Sequence, residues 1–229
     1  MENRLILGID NSLDFLSVVL SFEDRLVEER HIWNKRAPSE IAAVEVLAML
    51  TDNGYTIGDV GLVAVTLGPG SFTGIRVGLA FCKGIREGGK IPLVGVPTLD
   101  ALASPFSFME GYYLCPIIDA RKSEVFVCLY QVSHGQIQRI DEYRTLRPTE
   151  LAAIIRRPCI CFGTGAGLCA PFIFHMDGVL IVKEGFSRIS GDALVREALR
   201  RTSEATTASP QPIYCRKSEA EIKFNINIQ

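Results

Sequence analysis

With 229 residues, 48% of them apolar, the chain can bury a sizeable core as one large domain or two small ones. Its 24 basic and 26 acidic side chains leave a net charge of −2, no electrostatic footprint for nucleic acid, so phosphate contact would have to come from a partner. Seven cysteines with no C-x-x-C pair argue against a zinc site or a disulfide framework and for a reducing compartment. No apolar run is long enough to span a bilayer, and Met1-Glu2-Asn3-Arg4 leads straight into a strand pattern. The expectation is a soluble cytoplasmic protein.

In chain order, Leu5 to Ile9 reads as a strand ending in the polar turn Asp10-Asn11-Ser12-Leu13-Asp14. Strands follow at Phe15 to Phe22 and Arg25 to Trp33. Ser39 is placed to cap a helix to about Thr51, closed by Asn53-Gly54. The run Val63 to Leu67 reads as a buried strand that stops at Gly68-Pro69-Gly70, and a helix starts near Ser71 or Thr73. Leu93 to Gly95 is a short strand, with Pro97 opening a helix to Ala103. The pattern then restarts. Tyr113 to Ile118, ending at Asp119, is a strand, followed by strands at Val125 to Val132 and Gln136 to Tyr143. A helix from Thr149 to Arg156, a strand near Cys159 to Phe162, the turn Gly163 to Gly167, a strand at Val179 to Val182 and a helix capped by Ser190 complete it. Such a long repeat means duplicated subdomains, not a solenoid. The expected fold is α/β, two actin-like ATPase (ribonuclease H-like) subdomains at 1–104 and 105–229, the second reduced and ending in a tail.

Two helices, Glu40 to Thr51 and Thr73 to Glu87, are apolar almost all round, so both of their sides require cover. In the second, Gly74 and Gly78 share a face with Ile75, Leu79 and Cys82. Interior glycines cost about 1 kcal/mol each, which implies a close approach there. The expected partner interface is therefore Ile41, Val44, Ala48, Gly74, Ile75, Arg76, Gly78, Leu79 and Cys82. Arg76, a cation in a first helical turn, opposes the helix dipole and is expected to meet an acidic or phosphate group.

The hairpins ending at Asp10 and Asp119 are similar to the phosphate loops of the actin, Hsp70 and sugar-kinase fold. Backbone N–H groups reach phosphate there only past small residues, and neither turn contains glycine. The turn-forming reading of these residues is preferred over a working nucleotide site. Asp10, Asn11, Ser12 and Asp119, with Gly163 and Gly165 on the adenosine side, are kept as a vestigial one. His31, His134 and His175 stand apart from one another and from ligand spacing; His31 and His134 read as surface residues. Ser71 has no base partner in sequence. No catalytic residue and no metal ligand is assigned.

The segments Ile9-Asp10-Asn11-Ser12, Gly68-Pro69-Gly70-Ser71-Phe72-Thr73-Gly74-Ile75-Arg76-Val77-Gly78, Gly95-Val96-Pro97-Thr98-Leu99, Ile118-Asp119-Ala120-Arg121 and Pro212-Ile213-Tyr214-Cys215-Arg216 resemble, in that order, the TsaB (YeaZ-like) family over nearly the whole chain. The resemblance implies a two-subdomain actin-like fold and a part in making threonylcarbamoyladenosine beside the tRNA anticodon. It also implies partners: a TsaD homologue, which carries the metal-binding H-x-x-x-H motif and performs the transfer, and the small ATPase TsaE. Two positions depart from the family pattern. Asn34-Lys35-Arg36-Ala37-Pro38-Ser39 stands where a His usually precedes the first helix, and Cys215 replaces the Leu of Pro-x-Tyr-Leu-Arg.

The resulting expectation is a non-catalytic scaffold with no cofactor of its own, ATP and metal belonging to the partners. It is expected to form a homodimer when alone, to reach tRNA only through the complex and to have no membrane contact. The alternative is a stand-alone nucleotide hydrolase or phosphotransferase using Asp10 and Asp119.

Overall fold

The computed structural model describes residues 4–33, 39–183, 185–202 and 209–216, without the side chains of Ser39 and Glu40. The Asn34 to Pro38 stretch, the cap assigned to Ser39 and the tail from 217 onward lie outside what is described.

β1 (Leu5–Asp10), β2 (Phe15–Phe22) and β3 (Arg25–Trp33) form an antiparallel meander, and β4 (Val60–Thr66) and β5 (Leu93–Val96) join it in parallel, giving the order β3-β2-β1-β4-β5. β1 is central and buried along its whole length, which accounts for its unbroken apolar run. α1 (Ser39–Asp52) and α2 (Phe72–Gly89) pack together on one face of this sheet. α1 ends in a Schellman motif. Tyr55 N donates to Leu50 O (2.8 Å) and Gly54 N to Thr51 O (3.0 Å), with Gly54 at φ 75. α2 is capped by Ser71, whose hydroxyl accepts from Gly74 N at 3.2 Å.

The second half repeats this plan in reduced form. α3 (Thr98–Ala103), with Pro97 at its N-cap position, leads to β6 (Tyr113–Arg121), β7 (Glu124–Val127), β8 (Tyr130–Ser133), β9 (Gln136–Arg139) and β10 (Arg144–Leu146). β11 (Cys159–Phe162), α4 (Ala166–Ile173), β12 (Val179–Val182) and α5 (Gly191–Thr202) follow, and the sheet runs β10-β7-β6-β11-β12 with β8 and β9 beside it. The single strand expected over Val125 to Val132 is broken between β7 and β8, and Gln136 to Tyr143 holds only β9. Instead of a helix from Thr149 to Arg156 there is a 3-10 turn, Pro148–Ala153.

The last helix of each repeat crosses over: α3 packs on β6 of the second sheet, while α5 packs on the first sheet. Between them lies a shared core in which Ala64, Val96 and Leu99 meet Leu114, Phe126 and Phe162, with Leu194 and Ala198 of α5. So the second sheet occupies 113–182, but the chain after it returns to the first lobe, a departure from the expected boundary between 104 and 105.

Candidate functional site

Asp10 closes β1 and has no exposed surface. Its Oδ1 accepts from Ser12 N (2.9 Å), Ser12 Oγ (2.5 Å) and Thr66 Oγ1 (2.7 Å), while Oδ2 meets no donor among the described residues. Burial pushes this carboxyl above the usual carboxylate range, against the pull of the Ser12 and Thr66 hydrogen bonds. The glycine-rich turn and the start of α2 pack on the two residues that follow it, Asn11 and Ser12. Ser71 N donates to Ser12 O at 2.7 Å, Asn11 Nδ2 donates to Gly74 O at 3.1 Å, and a Cβ on Gly70 or Gly74 would run into the carbonyls of Ser12 and Asn11.

On the other side of the cleft, Asp119 N donates to Thr164 Oγ1 (3.0 Å). The Asp119 carboxylate accepts from Arg121 N (2.7 Å), and the Arg121 guanidinium spans Asp119 (3.3 Å) and Asp14 of the first lobe (3.2 Å). Arg121, Lys122 and Ser123 all adopt φ between 54 and 63, a left-handed run that makes the turn without glycine. Gly163 and Gly165 seat the turn before α4 against β6: a Cβ on either would press on Ile117. The cleft holds a cavity of about 410 Å³ whose walls include Asp14, Phe72, Thr73, Asp119, Arg121 and Arg216.

These residues do not fit a metal–nucleotide. Asp10 is fully buried, the Ser12 amide is spent on Asp10, and an arginine lies across Asp119 and Asp14. Among the described residues, no group of three or more His, Cys, Asp or Glu is placed to hold a metal.

The expected partner face needs correction. Gly74, Ile75, Gly78, Leu79 and Cys82 are buried against the chain's own sheet, and a Cβ on Gly78 would lie 3.3 Å from Asn11 Cβ. The close approach that the two glycines permit is therefore intramolecular. Ile41 is half-buried and packed on the first-lobe core, and Ala48 is half-buried. Arg76 is exposed, but its partner is aromatic: its guanidinium sits 3.8 Å over Phe72 and its Nε donates to Tyr214 Oη at 2.7 Å.

The open face is the opposite one. On α2 it carries the exposed Ala80, Gly84 and Gly88 beside half-buried Val77, and on α1 Val44 and Leu47, which are 63% and 58% exposed; Phe81, next to them, packs on the first-lobe core. A Cβ added at Gly84 or Gly88 would meet nothing within 4 Å. The signal was present in the sequence: Ala80, Gly84 and Gly88 recur every four residues and extend the Val77–Phe81 side.

His31 was also misplaced as a surface residue. It is half-buried, with Nδ1 2.8 Å from Ser17 Oγ and Nε2 2.6 Å from Glu29 Oε1, which also accepts from Gly191 N at 2.8 Å. The Ser17 hydroxyl is buried, so this chain of contacts is structural. Burial drives the Cys128 and Cys169 thiols up to about 12, which makes them poor nucleophiles.

Two lobes with the same strand order, their crossing helices exchanged and a cleft between them, place the chain in the actin-like ATPase (ribonuclease H-like) class. A solved structure from Pseudomonas aeruginosa, described as an uncharacterized protein with similarity to peptidase YEAZ, superposes with a TM-score of 0.78 at 23% identity, covering 93% of this chain and 100% of that one. The family model for TsaD, tRNA N6-adenosine threonylcarbamoyltransferase, matches residues 34–156. The tRNA threonylcarbamoyladenosine biosynthesis protein TsaB of Bacillus subtilis is 33% identical over 227 residues, 96% of this chain and 97% of the relative. That of Escherichia coli is 31% identical over 147 residues, 64% of this chain and 63% of the relative. The chain belongs to the TsaB family.

Proposed function

We propose that the chain takes part in tRNA threonylcarbamoyladenosine biosynthesis as a non-catalytic scaffold, docking through the open α1/α2 face onto a TsaD-family subunit. The observation that carries this reading is that face itself. Gly84 and Gly88 allow another helix to approach closely, and Val44 and Leu47 supply apolar area that has no use facing water. The TsaD model's match to residues 34–156, which include both helices, supports a partner of related architecture.

In this reading the chain presents a fixed surface and moves no proton. ATP and metal belong to the partners, TsaE joins the pair, and tRNA is reached only through the assembly. Alone, the chain pairs through the same face with a second copy. No described helix is long and apolar enough to cross a membrane, and the protein is assigned to the cytoplasm.

The test is tRNA modification by the TsaD-family subunit with and without this chain. Activity is expected only with it, and to be lost on Val44→Glu. Modification by this chain alone would contradict the scaffold reading, and tight Mg-ATP binding with turnover by the isolated chain would favour the hydrolase reading on Asp10 and Asp119.

A further inference from the structure

Four consecutive residues near the C-terminus are fixed first to one lobe and then to the other. Ile213 N donates to Leu67 O at 2.8 Å, and the Ile213 side chain packs on the first-lobe core. Tyr214 lies 5.1 Å from Phe72, ring to ring, and accepts the Arg76 hydrogen bond. Across the cleft, Cys215 O accepts from Thr145 Oγ1 of β10 at 2.9 Å, and Arg216 pairs with Glu124 of β7 at 2.7 Å. Phe72 and Arg216 both line the cavity, so this segment runs along one of its walls.

We propose that residues 213–216 are a strap that fastens the two lobes to each other along that wall, so that the second lobe holds the first turn of α2 in place. Actin-like folds of this class can bridge their lobes with a bound nucleotide, whereas here the chain supplies the bridge itself. The Arg216–Glu124 pair is only about a third exposed on either side, and a partly buried charged hydrogen bond resists solvent better than a surface one. On the first-lobe side the hold is a tilted aromatic pair and a guanidinium over a ring, contacts that depend on ring position. Movement of either end is therefore transmitted through three peptide units to the other.

The test is hydrogen exchange on the full-length chain alone, so its outcome is independent of the docking reading. Arg216→Ala cuts the strap on the second lobe, where the guanidinium is paired with Glu124 of β7. It should speed exchange of the first-turn amides at 72–76 about tenfold while β1 and β4 keep their protection. Glu124→Gln, which breaks the same pair from the other side, should reproduce the pattern more weakly. A change confined to 124–127 and 144–146 in both variants would overturn the proposal. So would a uniform rise through β1 and β4 in both, because the segment would then be only one more part of the global fold.

Discussion

Asp10 shows how a residue type suited to chemistry is turned to structure. Three donors converge on Oδ1 while Oδ2 meets none among the described residues, and burial opposes ionisation. Asp10→Asn keeps the accepting oxygen and removes the buried acid. At pH 7 it should be as stable as the parent or more so in urea melts, and a loss above about 3 kcal/mol, the scale of a stranded buried polar group, would contradict this.

His31 gives the second residue-scale prediction. Burial lowers its pKa first and foremost and Arg188 pushes the same way, while Glu29 and Asp10 pull it back up. A histidine whose folded pKa is depressed binds fewer protons folded than unfolded. Its contribution is therefore intact above about 6.5 and is lost as pH falls below that value. Between pH 7.5 and 5.5 the parent should lose more stability than His31→Gln, measured as the shift in urea midpoint; equal losses would remove His31 from the pH response.

At the scale of elements, α2 separates what sequence reading gets right from what it does not. Its position, its Ser71 cap and its all-round apolarity follow from residue pattern alone. The identity of its open side does not, because two glycine pairs, Gly74/Gly78 and Gly84/Gly88, lie on neighbouring faces about 80° apart around the helix and only the turn at Asn11 decides between them. Gly78→Leu should drive into that turn and cost about 1–3 kcal/mol as an overpacked site, read as a lowered thermal midpoint. Unchanged stability would mean that the Asn11 turn yields freely.

The crossing helices illustrate a second limit. Asp100 of α3 accepts from Tyr130 Oη (2.6 Å) and Tyr143 Oη (2.7 Å) and pairs with Arg201 of α5, a hub whose members lie 30 to 101 residues apart in sequence. Nothing local in the chain announces it. Asp100→Ala takes the shared acceptor from both hydroxyls and leaves Arg201 with Glu197 alone, 3.6 Å away, and should cost about 2–3 kcal/mol in denaturant melts; a loss below about 1 kcal/mol would show the hub to be incidental.

For the molecule as a whole, the duplication, both lobes and the aspartates at matching strand ends were legible, since each rests on local alternation and turn residues. The exchange of α3 and α5 between lobes was not, nor the lodging of 213–216 between the two lobes, because both are contacts between distant parts of the chain. The same reason explains why the vestigial cleft was found from its hairpins while the Arg121 bridge from Asp119 to Asp14 across it was not.

The central claim is that the open α1/α2 face docks a TsaD-family subunit, and Gly84→Leu tests it most directly. At this exposed helical site nothing crowds the new side chain, and replacing glycine should stabilise the helix by about 1 kcal/mol. Measured by titration of the purified subunits, affinity should fall at least about tenfold, or about 1.4 kcal/mol, while the thermal midpoint holds or rises. Undiminished affinity in a well-folded variant would contradict the account.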